Sequence, residues 1–443
     1  MADTPGMSVE PYWELTFDED GHPDPAESDA LTRGVAQQGV TDLVMFAHGW
    51  NNDRSSATRL YTAFFAPFPG LLAAGGAEAA GHRVGYAGVI WPSMDFPDEP
   101  VPHFPQQGVR ARAVHAGLDP ATREALVRLL PCQEAAVDRL SELLAQRPDD
   151  PARLEEFVTL ARGLAPAAQA ANGQAPGVYD LGPGPLPAML TADARQVCGD
   201  FASALESVGA LSASLFGGVV DGMERLWHGA FELLRQISYW TMKRRAGTVG
   251  HDGLGPFLGG LARSSPALRV HLVGHSFGAR LVSFALSGLP DGRSPVASVT
   301  LLEGAFSHYA FASSLPFATD RGGALSGLYD RIDGPLVCCY SSHDTALGVL
   351  YPLASMASRD DDSVLGLDIP RWGALGHDGV QSVSACSGIP VADVLRDGLP
   401  ADDCVNVDAS SVVSRGGPPT GAHSDICHEE LARVVLLAGK VVG

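Results

Sequence analysis

Apolar and polar positions follow two rhythms along this chain, and the changes of rhythm mark its organisation. PYWELTF at 11–17 alternates with a period of two and stops at DEDG, which predicts a strand and a turn. SDALTRGVAQQG at 28–39 has a Ser/Asp start and a Gly stop, the punctuation of a short helix. The unbroken apolar run Leu43–Ala47 fits a strand covered on both faces, as in a parallel sheet. Leu60, Ala63, Phe64 and Phe68 then return near helical spacing. Residues 82–90 predict another covered strand, ending at Trp91-Pro92-Ser93.

From Phe104 to Ala246 no strand-like run occurs. PATREALVRLLPCQEAAVDRLSELLAQ and PARLEEFVTLARGLA carry 3.6-residue periodicity, and ANGQAPGVYDLGPGPLPAM is a Gly/Pro-rich break. VDGMERLWHGAFELLRQISYWTMKRRAG predicts a long amphipathic helix striped by Met223, Leu226, Trp227, Phe231, Leu234, Ile237 and Met242. Covered strands resume at 268–274, 295–304 and 334–344. CVNVDAS at 404–410 reads as a weaker, edge-like strand, and 424–442 as a closing helix capped by Ser424. The pattern predicts an α/β protein with a mostly parallel central sheet, its core formed by 1–104 and 247–443 and interrupted by a helical insertion at 105–246.

Composition narrows the function classes. With 45% hydrophobic and 18% charged residues the chain is globular in make-up, not disordered. Thirty basic against 51 acidic residues give a net charge of -21, which repels nucleic acid and anionic membranes. No run approaches the ~18 apolar residues of a membrane span, and the acidic N-terminus lacks the apolar stretch of a signal peptide, so a cytoplasmic location is expected. Seven scattered cysteines without a CxxC pair argue against a zinc site or a disulfide framework, although Cys386 and Cys404 flank a loop-like segment and can pair in an oxidising compartment.

The candidate chemistry centres on Gly274-His275-Ser276-Phe277-Gly278. In a chain with 51 glycines a G-x-S-x-G pentad is weak alone. Its context is specific: a covered strand runs into it and an apolar helix with Leu281, Val282, Phe284 and Ala285 runs out. So tight a turn strains its central residue and needs small neighbours, which Gly274 and Gly278 supply. A phosphate-binding turn would place its glycines as GxGxxG or GxxxxGK[ST], and neither is present. A nucleophilic serine also needs donors for an oxyanion. FAHGWNND ends an upstream covered strand, so the amides of Trp50 and Phe277 are the candidate donors; otherwise His48-Gly49 is a plain strand terminus.

The order HGW, IWPS, GHSFGA, then an acid after a late strand and a C-terminal histidine, resembles the α/β-hydrolase superfamily, in particular its bacterial serine esterase/lipase-like branch. The resemblance covers 11–104 and 247–443. It implies an α/β-hydrolase fold with a helical cap insertion after the fourth core strand, a Ser–Asp/Glu–His triad in that chain order, and no cofactor or metal. For the acid, Asp344 follows a strand and is trailed by a D-x-A-L spacing similar to that family's; Asp408, Asp330 and Asp333 are rivals. For the base, His423 lies in a loop before the final helix, whereas His428 falls a turn inside it. His343 is a bystander and His271 a core residue.

His48, Gly49, Trp91 and Tyr340 are candidate pocket residues, with plain core packing as the alternative. The helical insertion is either a lid, around Leu215-Phe216 and along 223–242, or a rigid layer that buries its own stripe; the second is favoured. The expected activity is hydrolysis of a small-molecule or lipid-like carboxylic ester through an acyl-enzyme. The alternatives are an interfacial lipase or phospholipase and a non-catalytic binding module. No nucleic-acid partner and no stable membrane insertion are expected, and the oligomeric state stays open.

Overall fold

Strands covered on both faces pair side by side in one direction, and that is what the apolar runs of this chain do. The computed structural model describes residues 6–50, 52–93, 118, 120–129, 133–164, 188–207, 222–350, 373–383, 386–417 and 420–443. Its strands are β1 Tyr12–Thr16, β2 Asp42–Ala47, β3 Val84–Ile90, β4 Arg269–His275, β5 Val296–Leu302, β6 Leu336–Tyr340, β7 Ser387–Pro390 and β8 Cys404–Asp408. They form one eight-stranded sheet in the order β1-β3-β2-β4-β5-β6-β8-β7, and every pair is parallel. The sheet is therefore wholly, not mostly, parallel among the described residues.

Helices cover both faces, so alternate residues of each strand enter two different cores. Leu43, Met45 and Ala47 of β2 pack with Leu258, Leu281 and Leu286, from the helices Gly255–Ser264 and Phe277–Gly288. Val44 and Phe46 face the other way, against Leu60 and Phe64 of Arg54–Phe65 and Val435 of Glu429–Ala438.

Several expectations need correction. The strand 404–408 is interior, because the short β7 pairs outside it and takes the edge. Four residues ending in proline carry no period that a sequence reading can find. The helical segment follows the third strand in chain order, not the fourth, since β1 alone precedes β2. The closing helix starts at Glu429, with His428 and not Ser424 at its cap position.

The expected boundary at 246 falls inside continuous helix. Gly222–Thr248 passes through a π-helical stretch, Val249–Leu254, into Gly255–Ser264. Its first half packs Trp227, Leu234 and Ile237 into a separate helical core with Leu140, Phe157 and Phe201. Its second half delivers Met242, Ala246 and Val249 to the sheet core. Leu215 and Phe216 lie outside the described residues. Among the described residues no helix is long and apolar enough to cross a membrane.

The N-terminal ends of β2 and β4 are tied by a buried carboxylate. Asp42 accepts from Arg269 Nη1 at 2.9 Å, His271 Nε2 at 3.0 Å, His82 Nδ1 at 2.7 Å and Thr41 Oγ1 at 2.7 Å. Burial alone would raise its pKa; the hydrogen bonds from His271, His82 and Thr41 outweigh it and hold the carboxyl far below the usual range. His271 is buried, and Ser298 Oγ lies 2.9 Å from its Nδ1, so as a neutral ring it donates to Asp42 and accepts from Ser298. Because the folded pKa is depressed, this stabilisation is present above the unfolded value, about 4, and is lost as pH falls below it. Asp42→Asn is expected to cost about 3 kcal/mol in urea unfolding at pH 7, with the difference from wild type shrinking below pH 4.

Cys386 and Cys404, at the starts of β7 and β8, form a disulfide across 18 residues of sequence. The expectation left both states open, and the pairing follows from the strand alignment, which puts the two Cα atoms 5.1 Å apart. A loop of that length loses about 3 kcal/mol of unfolded-state entropy when closed. Reduction or Cys386→Ala is expected to lower urea-unfolding stability by up to that amount, with the circular-dichroism spectrum at zero urea unchanged.

Candidate active site

All strands being parallel, their C-terminal ends gather at one rim, and the candidate residues lie on the loops that leave it. Ser276 follows β4 directly, with φ 55° and ψ -120°, and precedes the helix Phe277–Gly288. A side chain rarely sits there, and the packing explains why this one does. The helix starts so close to β2 that a Cβ on Gly278 would lie 1.9 Å from the Ala47 carbonyl oxygen. A Cβ on Gly274 would lie 2.4 Å from the Gly278 carbonyl. Only glycines admit this crossing, and the turn between them projects Ser276 at the rim.

His423 comes from the loop before the last helix. Its Nε2 is 2.9 Å from Ser276 Oγ, and its Nδ1 is 2.6 Å from Asp344 Oδ2. Asp344 leaves the end of β6 and is fully buried; its Oδ1 accepts from the Leu347 amide at 2.9 Å. Asp344 accepts from Nδ1–H, which leaves Nε2 free to accept the serine proton. Residues 276, 344 and 423 thus form one hydrogen-bonded line, from three separate loops.

The upstream loop abuts the serine. A Cβ on Gly49 would lie 2.8 Å from Ser276 Cβ. Trp50 follows, and its ring packs with Phe277 and Tyr239, at centroid separations of 6.5 and 5.5 Å. The Phe277 amide is the first of its helix, where the intrahelical ladder has no acceptor for it. Asn52 Nδ2 donates to the Trp50 carbonyl at 2.9 Å. Ser93 Oγ donates to Asn52 O at 3.0 Å and accepts from Asn52 N at 3.2 Å.

His48 and Trp91 brace this loop and do not line open space. Both are buried, stacked at 5.7 Å, and Trp91 Nε1 donates to the His48 carbonyl at 2.9 Å. Burial pushes the His48 imidazole down to about 4, so it stays neutral. Tyr340 lies apart from the serine: its hydroxyl would stand 3.5 Å from a Cβ on Gly388 of β7, two strands further out. Asp408 caps its own turn, accepting from the Ser410 amide at 2.9 Å. Asp330 and Asp333 are exposed and precede β6, at the opposite rim. His428 pairs with Asp425 at 2.9 Å, and His343 is exposed.

Two neighbours of the line gave no sequence signal. His275, inside the pentad, donates from Nε2 to the backbone carbonyl of His423 at 2.8 Å. Burial first, and then the nearby His423, push its pKa down to about 3, so the donor is a neutral ring. Glu303, at the end of β5, is buried beside Asp344. A His between Gly and Ser, and a Glu closing an apolar strand, both look like ordinary strand ends. Among the described residues no cluster of His, Cys, Asp and Glu is arranged to hold a metal ion. Compared with protein-family models, curated proteins and solved structures, the chain matches none.

His275→Phe keeps a ring, of somewhat larger size, at this buried position and removes the donor. It is expected to remain folded, lose about 1 kcal/mol, and slow labelling of Ser276 by a fluorophosphonate about tenfold. Labelling kinetics read beside urea unfolding check both halves.

Proposed function

We propose that this protein is a serine hydrolase of the α/β-hydrolase type, acting on carboxylic esters. The observation that carries the reading is the line Ser276 Oγ–His423–Asp344, at 2.9 and 2.6 Å, with the serine on a strained turn between β4 and a helix N-terminus. A serine hydroxyl is a weak nucleophile until a base takes its proton, and an imidazole held by a buried carboxylate is such a base.

In this mechanism Ser276 attacks the ester carbonyl as His423 Nε2 accepts its proton. Asp344 holds the ring and stabilises the imidazolium. The amides of Trp50 and Phe277 receive the oxyanion, where the helix N-terminus adds its partial positive charge. His423 then gives its proton to the leaving alkoxide. A water molecule, deprotonated by His423, releases the acid from Ser276. No cofactor enters any step.

The helical segment supports this reading over an interfacial lipase. Trp227, Leu234 and Ile237 are buried in its own core, so that part of its stripe is not available to lipid. Hydrolysis of short-chain p-nitrophenyl esters by the wild-type protein is expected, and Ser276→Ala should reduce kcat/KM by at least about 10⁴-fold. Equal rates for the two proteins would remove the proposal.

A further inference from the structure

Five described residues other than glycine have positive φ, and only Ser276 and Glu303 among them are buried. They stand at the ends of neighbouring strands, since His275 of β4 is in register with Leu302 of β5. Glu303 adopts φ 46°, and its amide donates to the Cys339 carbonyl at 3.1 Å. Gly376 closes over its backbone: a Cβ there would lie 2.3 Å from the Glu303 carbonyl carbon. The chain thus places a carboxyl, in an uncommon backbone conformation, directly beneath the loop that carries Asp344. Such outliers persist where the surroundings over-determine them, and they gather at functional sites.

Among the described residues that act on the Glu303 carboxyl there is no cation, and the Ser341 amide is the group whose hydrogen bond favours the ion. The titratable groups acting on it are Asp344, which it meets side chain to side chain, and Asp425; Cys338 and Cys339 lie on the adjoining strand. His423 sits on the far side of Asp344. Glu303 Oε2 has no hydrogen-bond partner among the described residues. A carboxylate with a bare oxygen in a dry interior, against a second carboxylate, is costly to ionise.

We propose that Glu303 is a positioning residue of this site: it keeps its proton and donates it in a hydrogen bond to Asp344, so that the two acids share a single negative charge. The inference rests on the reading of Asp344 as the acid that orients His423. Burial, and then the charge of Asp344, push the Glu303 carboxyl well above the usual carboxylate range, in agreement with the geometry. The bond fixes the Asp344 carboxyl from behind while its Oδ2 holds His423. No proton need leave the pair during turnover.

Difference infrared spectroscopy of wild type against Glu303→Gln at pH 7 tests the shared proton without reference to activity. A protonated-carboxyl band in wild type that is missing from the variant is expected. Absence of that band from wild type would overturn the proposal. Fluorophosphonate labelling of Ser276 tests the positioning role. Glu303→Ala should label at least tenfold more slowly, and Glu303→Gln, which keeps an N–H donor, should restore the rate to within about threefold of wild type.

Labelling of Glu303→Ala at the wild-type rate would overturn the positioning role. Wild-type protein that shows the band but resists the probe would overturn the hydrolase reading and support the shared proton. Should Glu303→Ala fail to fold, Glu303→Leu takes its place, and the band in wild type remains decisive.

Discussion

The contact that organises this molecule is the crossing of the helix Phe277–Gly288 over the end of β2. A helix so near a strand leaves no room for a Cβ at either glycine of the turn. The chain must then reverse from strand to helix within one residue, and Ser276 takes the uncommon backbone angles that this requires. The rest of the rim follows from that geometry. The Phe277 amide emerges at the helix start, Gly49 packs against the serine, and the His423 loop docks on His275. A parallel sheet puts all of these loops at one end, which is why groups so distant in sequence meet.

Carboxylates are buried at both ends of the sheet, in opposite electrostatic settings. At the N-terminal rim Asp42 is surrounded by donors, one of them the guanidinium of Arg269. A charge so surrounded is a structural tie between β2 and β4. At the C-terminal rim Glu303 has an acidic neighbour and a bare oxygen. The first arrangement favours the ion, and the second favours the neutral acid. The same side-chain chemistry thus serves cohesion at one rim and, in the role proposed for Glu303, orientation at the other.

The parts legible in the sequence were those with a strong local signature. Covered apolar runs marked five of the eight strands, because a strand covered on both faces has no polar phase to confuse; β1 was marked by its alternation and β8 only as a weaker run. The glycines around Ser276 were legible because a tight strand-to-helix turn has few solutions. Asp344 and His423 were placed by their position after a late strand and before the last helix, and the structure brings both to the serine. The missing parts depend on long-range contact. β7 is recognisable only by its pairing with β8. His275 and Glu303 acquire their partners from loops 148 and 41 positions further along the chain. Trp91 belongs to the stack that holds the loop after β2 and not to a pocket wall, a distinction that burial alone reveals.

The helix Gly222–Thr248 ties the two cores together, with Tyr239 against Phe277 at a centroid separation of 4.5 Å. Twenty-seven residues make a rod of roughly 40 Å. Its opposite halves are embedded in different layers. A recombination event that exchanged the outer layer for another would have to sever this rod beside the aromatic cluster. Neither layer can be lifted out whole without cutting a helix that the other layer packs against.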